Sequence, residues 1–294
     1  MIRKEITVQN TIFSESMKGL SISRIVRDFD YTMPDVHIHY NNYEIYYLLE
    51  GERRYFIGSK IYPLHAGTLL FIRRNVIHKT AFSRQAHHDR ILLEVSHPLL
   101  SSILAATGEY SPETFFDEDC IVLPLKDSDQ QRVKTLLLSI GEEMRVQNPG
   151  WQLMIQSRLA ELLISAKRLE ARQTAKAPQD APSGGRHAAA EEIARYIAEH
   201  FSEPLSLDAL AKHFFLNKSY LSRIFKEVTG FTVGEYIHIR RIQKARALLT
   251  QTRMSISAVS EASGYDNLVY FERIFKRHTG LTPRQYRKEQ PELS

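Results

Sequence analysis

The feature that most constrains this 294-residue chain is an internal repeat. LSLDALAKHFFLNKSYLSRIFKEVTGFTVGEY (205–236) matches MSISAVSEASGYDNLVYFERIFKRHTGLTPRQY (254–286). The offset is 49 at Ser206/Ser255 and 50 from Asn217/Asn267 onward, so the copies differ by one residue in the turn between helices. Two copies are too few for a solenoid and define a pair of similar modules. Each reads as helix, turn, helix. In the first, Ser206 caps a short helix carrying Leu207, Leu210 and Ala211, and Asn217 caps a longer one that ends at Gly230. Thr232 and Glu235 form a capping box that opens a connecting helix through IHIRRIQKARALLT.

The longer helix of each copy has two chemically distinct sides. Leu221, Ile224, Phe225 and Val228 share one side of the first, with Ser219, Ser222, Arg223 and Lys226 on the other. In the second, Phe271, Ile274 and Phe275 face inward, while Val269, Glu272, Arg273 and Lys276 face out. The major groove of DNA, about 12 Å wide, accepts such a helix and displays base edges to it. Arg223 and Arg273 occupy equivalent positions and suit bidentate bonding to guanine; Lys226, Lys276 and Arg277, a turn further on, suit phosphates. A solvated surface would explain either helix alone. The repetition argues against that, and so does the charge. From Arg186 onward there are 17 Lys+Arg against 12 Asp+Glu, and the preceding residues balance at 22 and 22, so the whole excess of +5 lies beside the repeat.

Upstream, ARQTAKAPQDAPSGGRHA (171–188) lacks apolar periodicity and reads as a linker. Before it, SISRIVR, EIYYLL, RRYFI, TLLFI and RILLEV follow one another at the spacing of an antiparallel barrel or sandwich. The period then changes. Val133, Leu136, Leu137, Ile140 and Met144 form one helical stripe; Ile155, Leu159, Leu162, Leu163 and Ala166 form another after Pro149-Gly150. These two helices are expected to pair with their copies in a second subunit, with packing on the barrel as the alternative. The lone Cys120 excludes an internal disulfide and a thiolate zinc cluster. No apolar run nears the ~20 residues of a membrane helix, and MIRKEITVQN has no apolar signal region, so a cytoplasmic protein without membrane association is expected.

LSRIFKEVTG, RIQKARALL and ASGYDNLVYFERIFKRHTGLTPRQYR resemble the DNA-binding domain of the arabinose-regulator (AraC/XylS) family of bacterial transcription factors over about 100 residues. The resemblance implies that Lys218, Ser219, Ser222, Arg223, Lys226, Asn267, Leu268, Val269, Glu272, Arg273, Lys276 and Arg277 face DNA. Leu268, followed by Val269, stands where a polar residue is usual, which favours contact with a thymine methyl. The first turn also lacks a counterpart of Gly264.

Members of that family commonly carry a cupin-like sensor, and the N-terminal half resembles one. HIHYNNYEIYYLLEG (37–51) matches the first cupin motif at His37, His39, Glu44 and Gly51. In the second, Gly67 and His78 are kept, while Arg73 and Asn75 replace the motif's proline and glycine. His37, His39, Glu44 and His78 are therefore candidate ligands of a divalent metal, or hydrogen-bonding groups for an effector, with Tyr40, Tyr43, Tyr46, Tyr47 and Tyr55 offering ring faces to a sugar. Other histidines, His87-His88 and His97 among them, read as loop residues.

The expected protein is α+β and multidomain: a cupin-like antiparallel β-barrel over 1–120, a helical hairpin over 121–170, a linker over 171–187 and two helix-turn-helix modules over 188–290. It is expected to be a ligand-responsive regulator rather than an enzyme, activating carbohydrate-utilisation genes. Duplex operator DNA, a small-molecule effector such as a sugar, a second copy of the chain and, for an activator, RNA polymerase are the expected partners. No cofactor is required, though the barrel could hold a divalent metal. A cupin metalloenzyme fused to a DNA-binding domain is the alternative, and Tyr43 and Tyr46 join the four candidate ligands as the expected effector contacts.

Overall fold

The computed structural model describes residues 9–31, 33, 38–82, 86–174 and 185–289. They fall into two compact units divided at residues 181/182, inside the segment read as a linker. His37 lies outside the described residues.

The first unit is an antiparallel sheet of β1 (Gln9–Met17), β2 (Leu20–Asp28), β3 (Asn42–Ile57), β4 (Lys60–His65), β5 (Thr68–Ile72), β6 (His78–Phe82), β7 (His87–Ser96) and β8 (Cys120–Pro124). The order is β1-β2-β7-β3-β5-β8, with β4 and β6 also pairing with β3. The sequence suggests two strands, EIYYLL and RRYFI, where there is one strand of 16 residues. Its first half pairs with β5 and β7, its second with β4 and β6. The sheet extends to Pro124, beyond the expected end of the barrel at 120. His87 and His88 open β7 instead of lying in a loop.

Alternation along β3 sorts its side chains between two cores. Tyr43, Ile45 and Tyr47 join the larger core, and Tyr46 and Leu48 the second. Both faces are covered, which accounts for six consecutive buried residues from Tyr43 to Leu48. The second core also receives Tyr55 and Ile57, which have the opposite parity to Tyr46 and Leu48. A register shift between Leu48 and Glu50 against β7 supplies the extra residue. Gly51 follows at φ +88°, where a Cβ would stand 2.3 Å from the His87 carbonyl oxygen, so only glycine fits the bend.

Helices α1 (His97–Ala105), α2 (Pro112–Phe115), α3 (Asp127–Val146) and α4 (Trp151–Thr174) cover the first face. The stripes of α3 and α4 are buried in the same core as Ile45, Phe71, Leu93 and Val95. The expectation that these stripes pair with a second subunit is thereby corrected: their apolar area is used within the chain, because the sheet presents an apolar face that must itself be covered. His97 is the first residue of α1, not a loop residue.

The second unit contains α5 (Arg186–His200), α6 (Leu207–His213), α7 (Lys218–Thr229), α8 (Val233–Gln251), α9 (Ile256–Ala262), α10 (Leu268–Thr279) and α11 (Pro283–Glu289). The caps read from the sequence are formed. Ser206 accepts from the Ala209 N–H, Asn217 from those of Ser219 and Tyr220, and Thr232 and Glu235 make a reciprocal box. Gly230 and Gly280 end α7 and α10 in the left-handed region. The missing glycine of the first turn has a structural answer. Phe215 takes the left-handed conformation at φ 53°, as Gly264 does at +85° in the second copy, and the one-residue difference falls just after it. The Phe215 ring is 96% exposed, so no packing offsets the strain.

Gly51→Ala should lower stability by about 2 kcal/mol or more, read as a shifted denaturant midpoint. Phe215→Gly should raise it by about 0.5–1 kcal/mol, the relief of strain exceeding the entropy that glycine adds to the unfolded chain.

Candidate functional site

The face of the sheet turned away from the helices carries polar side chains. On β7, Ile91, Leu93 and Val95 go to the apolar core, whereas Arg90 and Leu92 line a cavity with His88. Arg27 of β2 lies opposite His88 in the register, and Glu44 and Tyr46 with Arg53 and Tyr55 enter from the two halves of β3. Together these side chains line a small cavity that opens to solvent. Tyr55 donates to Glu44 Oε1 at 3.4 Å, and its ring meets that of Tyr46 edge-on at 5.1 Å. Burial pushes the Tyr46 hydroxyl up to about 12, so it is a neutral donor at physiological pH. Burial, and then Arg53, depress His88 to about 4, so its imidazole is neutral as well.

At one edge of this interior, His39 Nε2 lies 3.4 Å and His78 Nε2 3.2 Å from Glu44 Oε2. The two imidazoles stack at 5.6 Å, and His39 Nε2 is also 3.5 Å from Glu94 Oε1. One donor atom from each of His39, Glu44 and His78 lies within 4.8 Å of the others. His78 Nδ1–H donates to the Val76 carbonyl at 3.0 Å, leaving Nε2 for the carboxylate or an ion. Two imidazoles and a carboxylate suit a divalent transition metal, so the three residues fit the site that the cupin resemblance implies. Burial opposes ionisation of Glu44, but the His78 and His39 imidazoles outweigh it and hold the carboxyl far below its usual range. Asn75 explains the imperfect second motif. It adopts φ 65° where the motif has glycine, and its N–H donates to the His39 carbonyl at 2.9 Å, tying the loop to the site.

The structure divides the five candidate tyrosines. Tyr46 and Tyr55 face the cavity. Tyr43 and Tyr47 lie on the helix face, Tyr43 stacking on Phe116 at 5.0 Å with its hydroxyl 3.0 Å from His97 Nδ1. Tyr43 was expected beside the effector; strand alternation puts it on the opposite side from Glu44. Tyr40 lies before β3, outside the cavity lining. Arg27, Arg53 and Arg90 are not singled out by the sequence, and His88 reads there as a loop residue. For His88 and Arg90 the signal was the period-2 alternation of HHDRILLEVS, which puts them on the face opposite Ile91, Leu93 and Val95; SISRIVR and RRYFI carry no such alternation for Arg27 and Arg53.

In the second unit, Ser219, Arg223 and Lys226 of α7 are exposed, as are Leu268, Val269, Arg273, Lys276 and Arg277 of α10. Ser222 and Glu272 are half-buried. Lys218 is paired with Asp208 at 2.8 Å, and Asn267 is committed to capping α10 through the Tyr270 N–H. The two arginines share a setting. Arg223 lies 5.8 Å from the ring of Tyr220, and Arg273 lies 5.1 Å from that of Tyr270, each three residues earlier on its helix. α8, about 28 Å long at 1.5 Å per residue, joins the modules. His238 on α8 anchors the second platform, its ring nitrogens 3.3 Å from the Tyr265 hydroxyl and 3.2 Å from that of Tyr270.

A β domain with a polar interior and a duplicated helix-turn-helix unit define a DNA-binding regulator with a ligand-binding domain. Residues 21–163 match the AraC-like ligand binding domain, and residues 210–289 match a helix-turn-helix domain. The chain belongs to the arabinose-regulator (AraC/XylS) family of transcriptional regulators. It is 27% identical over 259 residues to the HTH-type transcriptional regulator YfiF of Bacillus subtilis, covering 85% of this chain and 80% of that one. It is 35% identical over 97 residues to the arabinose operon regulatory protein of Escherichia coli, covering 33% of each. A crystal structure of apo ToxT from Vibrio cholerae aligns over 94% of this chain and 99% of its own at 13% identity, with a TM-score of 0.42.

The depressed His88 sets a direction for pH dependence. Below about pH 6.5 the unfolded chain takes up a proton that the folded chain refuses until about pH 4, so stability falls as pH drops through that window. His88→Gln should remove up to about 3 kcal/mol of this acid loss, measured as denaturation midpoints of both proteins from pH 7 to 4.

Proposed function

We propose that this protein is an effector-controlled transcriptional activator that reads duplex operator DNA through both modules as a homodimer. The observation that carries this reading is the duplicated exposed arginine set over a tyrosine at the same spacing in α7 and α10. Arg223 and Arg273 read guanines, and Leu268 and Val269 contact thymine methyls. Lys226, Lys276 and Arg277 hold phosphates. Ser219 and Ser222 serve α7, while Lys218 and Asn267 support the modules through their ion pair and cap.

The interior of the β domain holds a small hydroxylated effector such as a sugar, and binding shifts the protein toward its DNA-competent state. A divalent ion on His39, Glu44 and His78, joined by His37, would supply a Lewis-acidic anchor for ligand oxygens. The protein works in the cytoplasm, contacts RNA polymerase when it activates, and catalyses nothing. The donor set of His39, Glu44 and His78 also favours a second reading, a cupin metalloenzyme joined to a DNA-binding domain, which turnover of a substrate by the metal-loaded full chain would establish.

Footprinting and affinity measurements over a range of salt concentrations test the DNA reading. Arg273→Ala should cost about 1–3 kcal/mol and relax specificity at one base position. Lys276→Ala should weaken binding on every sequence and reduce the salt slope by about 1. Uniform losses from both substitutions would refute the division into base and phosphate contacts.

A further inference from the structure

Three guanidinium groups converge on the cavity of the β domain. Arg27 comes from β2, Arg53 from β3 and Arg90 from β7. Among the described residues none of them has a carboxylate within ion-pair distance. Arg24, also on β2, makes the contrast: it binds Asp89 at 2.6 Å. Glu44 lines the same cavity, but His39 and His78 engage its carboxylate.

Arg53 is the most exacting of the three. It is 1% exposed; its Nε donates to Thr80 Oγ1 at 3.4 Å and its Nη2 to the Tyr31 carbonyl, while Nη1 has no hydrogen-bond partner among the described residues. Arg27 is held by Gln9 Oε1 at 2.9 Å and lies 3.8 Å over the Tyr31 ring; Arg90 Nη1 donates to Ser23 Oγ at 3.2 Å. These contacts fix the groups without neutralising them. A buried charge of this kind is costly unless something compensates it. Burial depresses the pKa of Arg27 and Arg53, and Arg90 acts on both in the same direction. The cluster does not reflect a generally basic domain, because the residues before Arg186 balance at 22 basic and 22 acidic.

We infer that the effector is a small anion, whose carboxylate or phosphate is received by Arg53, Arg27 and Arg90. The inference rests on the reading of this cavity as the effector site and narrows the ligand class. A planar carboxylate or a phosphate oxygen pair matches the guanidinium fork. Tyr46 and Tyr55 then meet the remaining carbon and hydroxyl groups.

The test is calorimetric titration and thermal shift of the full chain with matched probes at constant ionic strength: galactose against galacturonate, and glucose against gluconate and glucose 6-phosphate. At least one acid should bind and raise the midpoint while its neutral parent does not. Whether a sugar acid or the phosphate ester responds tells the two anion sources apart. Arg90→Gln, at a half-buried position, should weaken that binding about tenfold or more. Arg53→Lys, which keeps the charge, should bind better than Arg53→Met, with circular dichroism and operator affinity confirming that each variant is folded. Binding of the neutral sugars with no response to the acids would overturn the anion site and leave the effector cavity standing. No response to any probe would overturn both. Folded Arg90→Gln and Arg53→Met variants that bind the acid as tightly as the parent protein would overturn the assignment to these arginines.

Discussion

β3 serves two sheet pairings and two cores, and the irregularity between Leu48 and Glu50 decides which side chains share a space. Without the shift in parity, Glu44 and Tyr46 would look into the cavity while Arg53 and Tyr55 looked away from it. Gly51 makes the shift possible because no side chain fits beside the His87 carbonyl. The glycine of the first cupin motif is thus a condition of the site's geometry: the Glu44 carboxylate that faces two imidazoles and the Arg53 guanidinium that faces the void are brought together by one bend in one strand.

The DNA-binding unit depends on a different device, repetition. The same caps, the same glycine stops and the same arginine-over-tyrosine spacing recur on α7 and α10, and α8 sets the separation of the copies. Agreement between local signals and packing is what lets a sequence specify a fold without ambiguity. The modules still differ chemically. α7 presents Ser219 beside its arginine, while α10 presents Leu268 and Val269, so the two copies are suited to different base edges.

How much of this was legible in the sequence followed from how local each signal was. Ser206, Asn217, Thr232, Glu235 and Gly230 act within a few residues of themselves, and the repeat and its helix ends could be read directly. His39, Glu44 and His78 were visible because they fall on a known motif. The arginines were not, since Arg27, Arg53 and Arg90 converge only after three strands pair, and each alone reads as a polar residue on a strand. Tyr43 was misplaced for a related reason: both faces of β3 are buried, so burial alone gives no hint of which residue faces which core. The stripes of α3 and α4 were correctly seen as apolar, but periodicity identifies a face without naming what covers it.

The left-handed Phe215 gives the two otherwise matched modules different dynamics. A turn under strain, with no side-chain packing to hold it, opens by local unfolding more often than its glycine counterpart around Gly264. Helix α6 therefore belongs to the more rapidly fluctuating end of the unit, and α9 to the quieter one. An ordering cost that falls mainly on one module makes binding at that module more sensitive to temperature and to anything that rigidifies the unit, so the two recognition helices need not engage DNA with equal persistence.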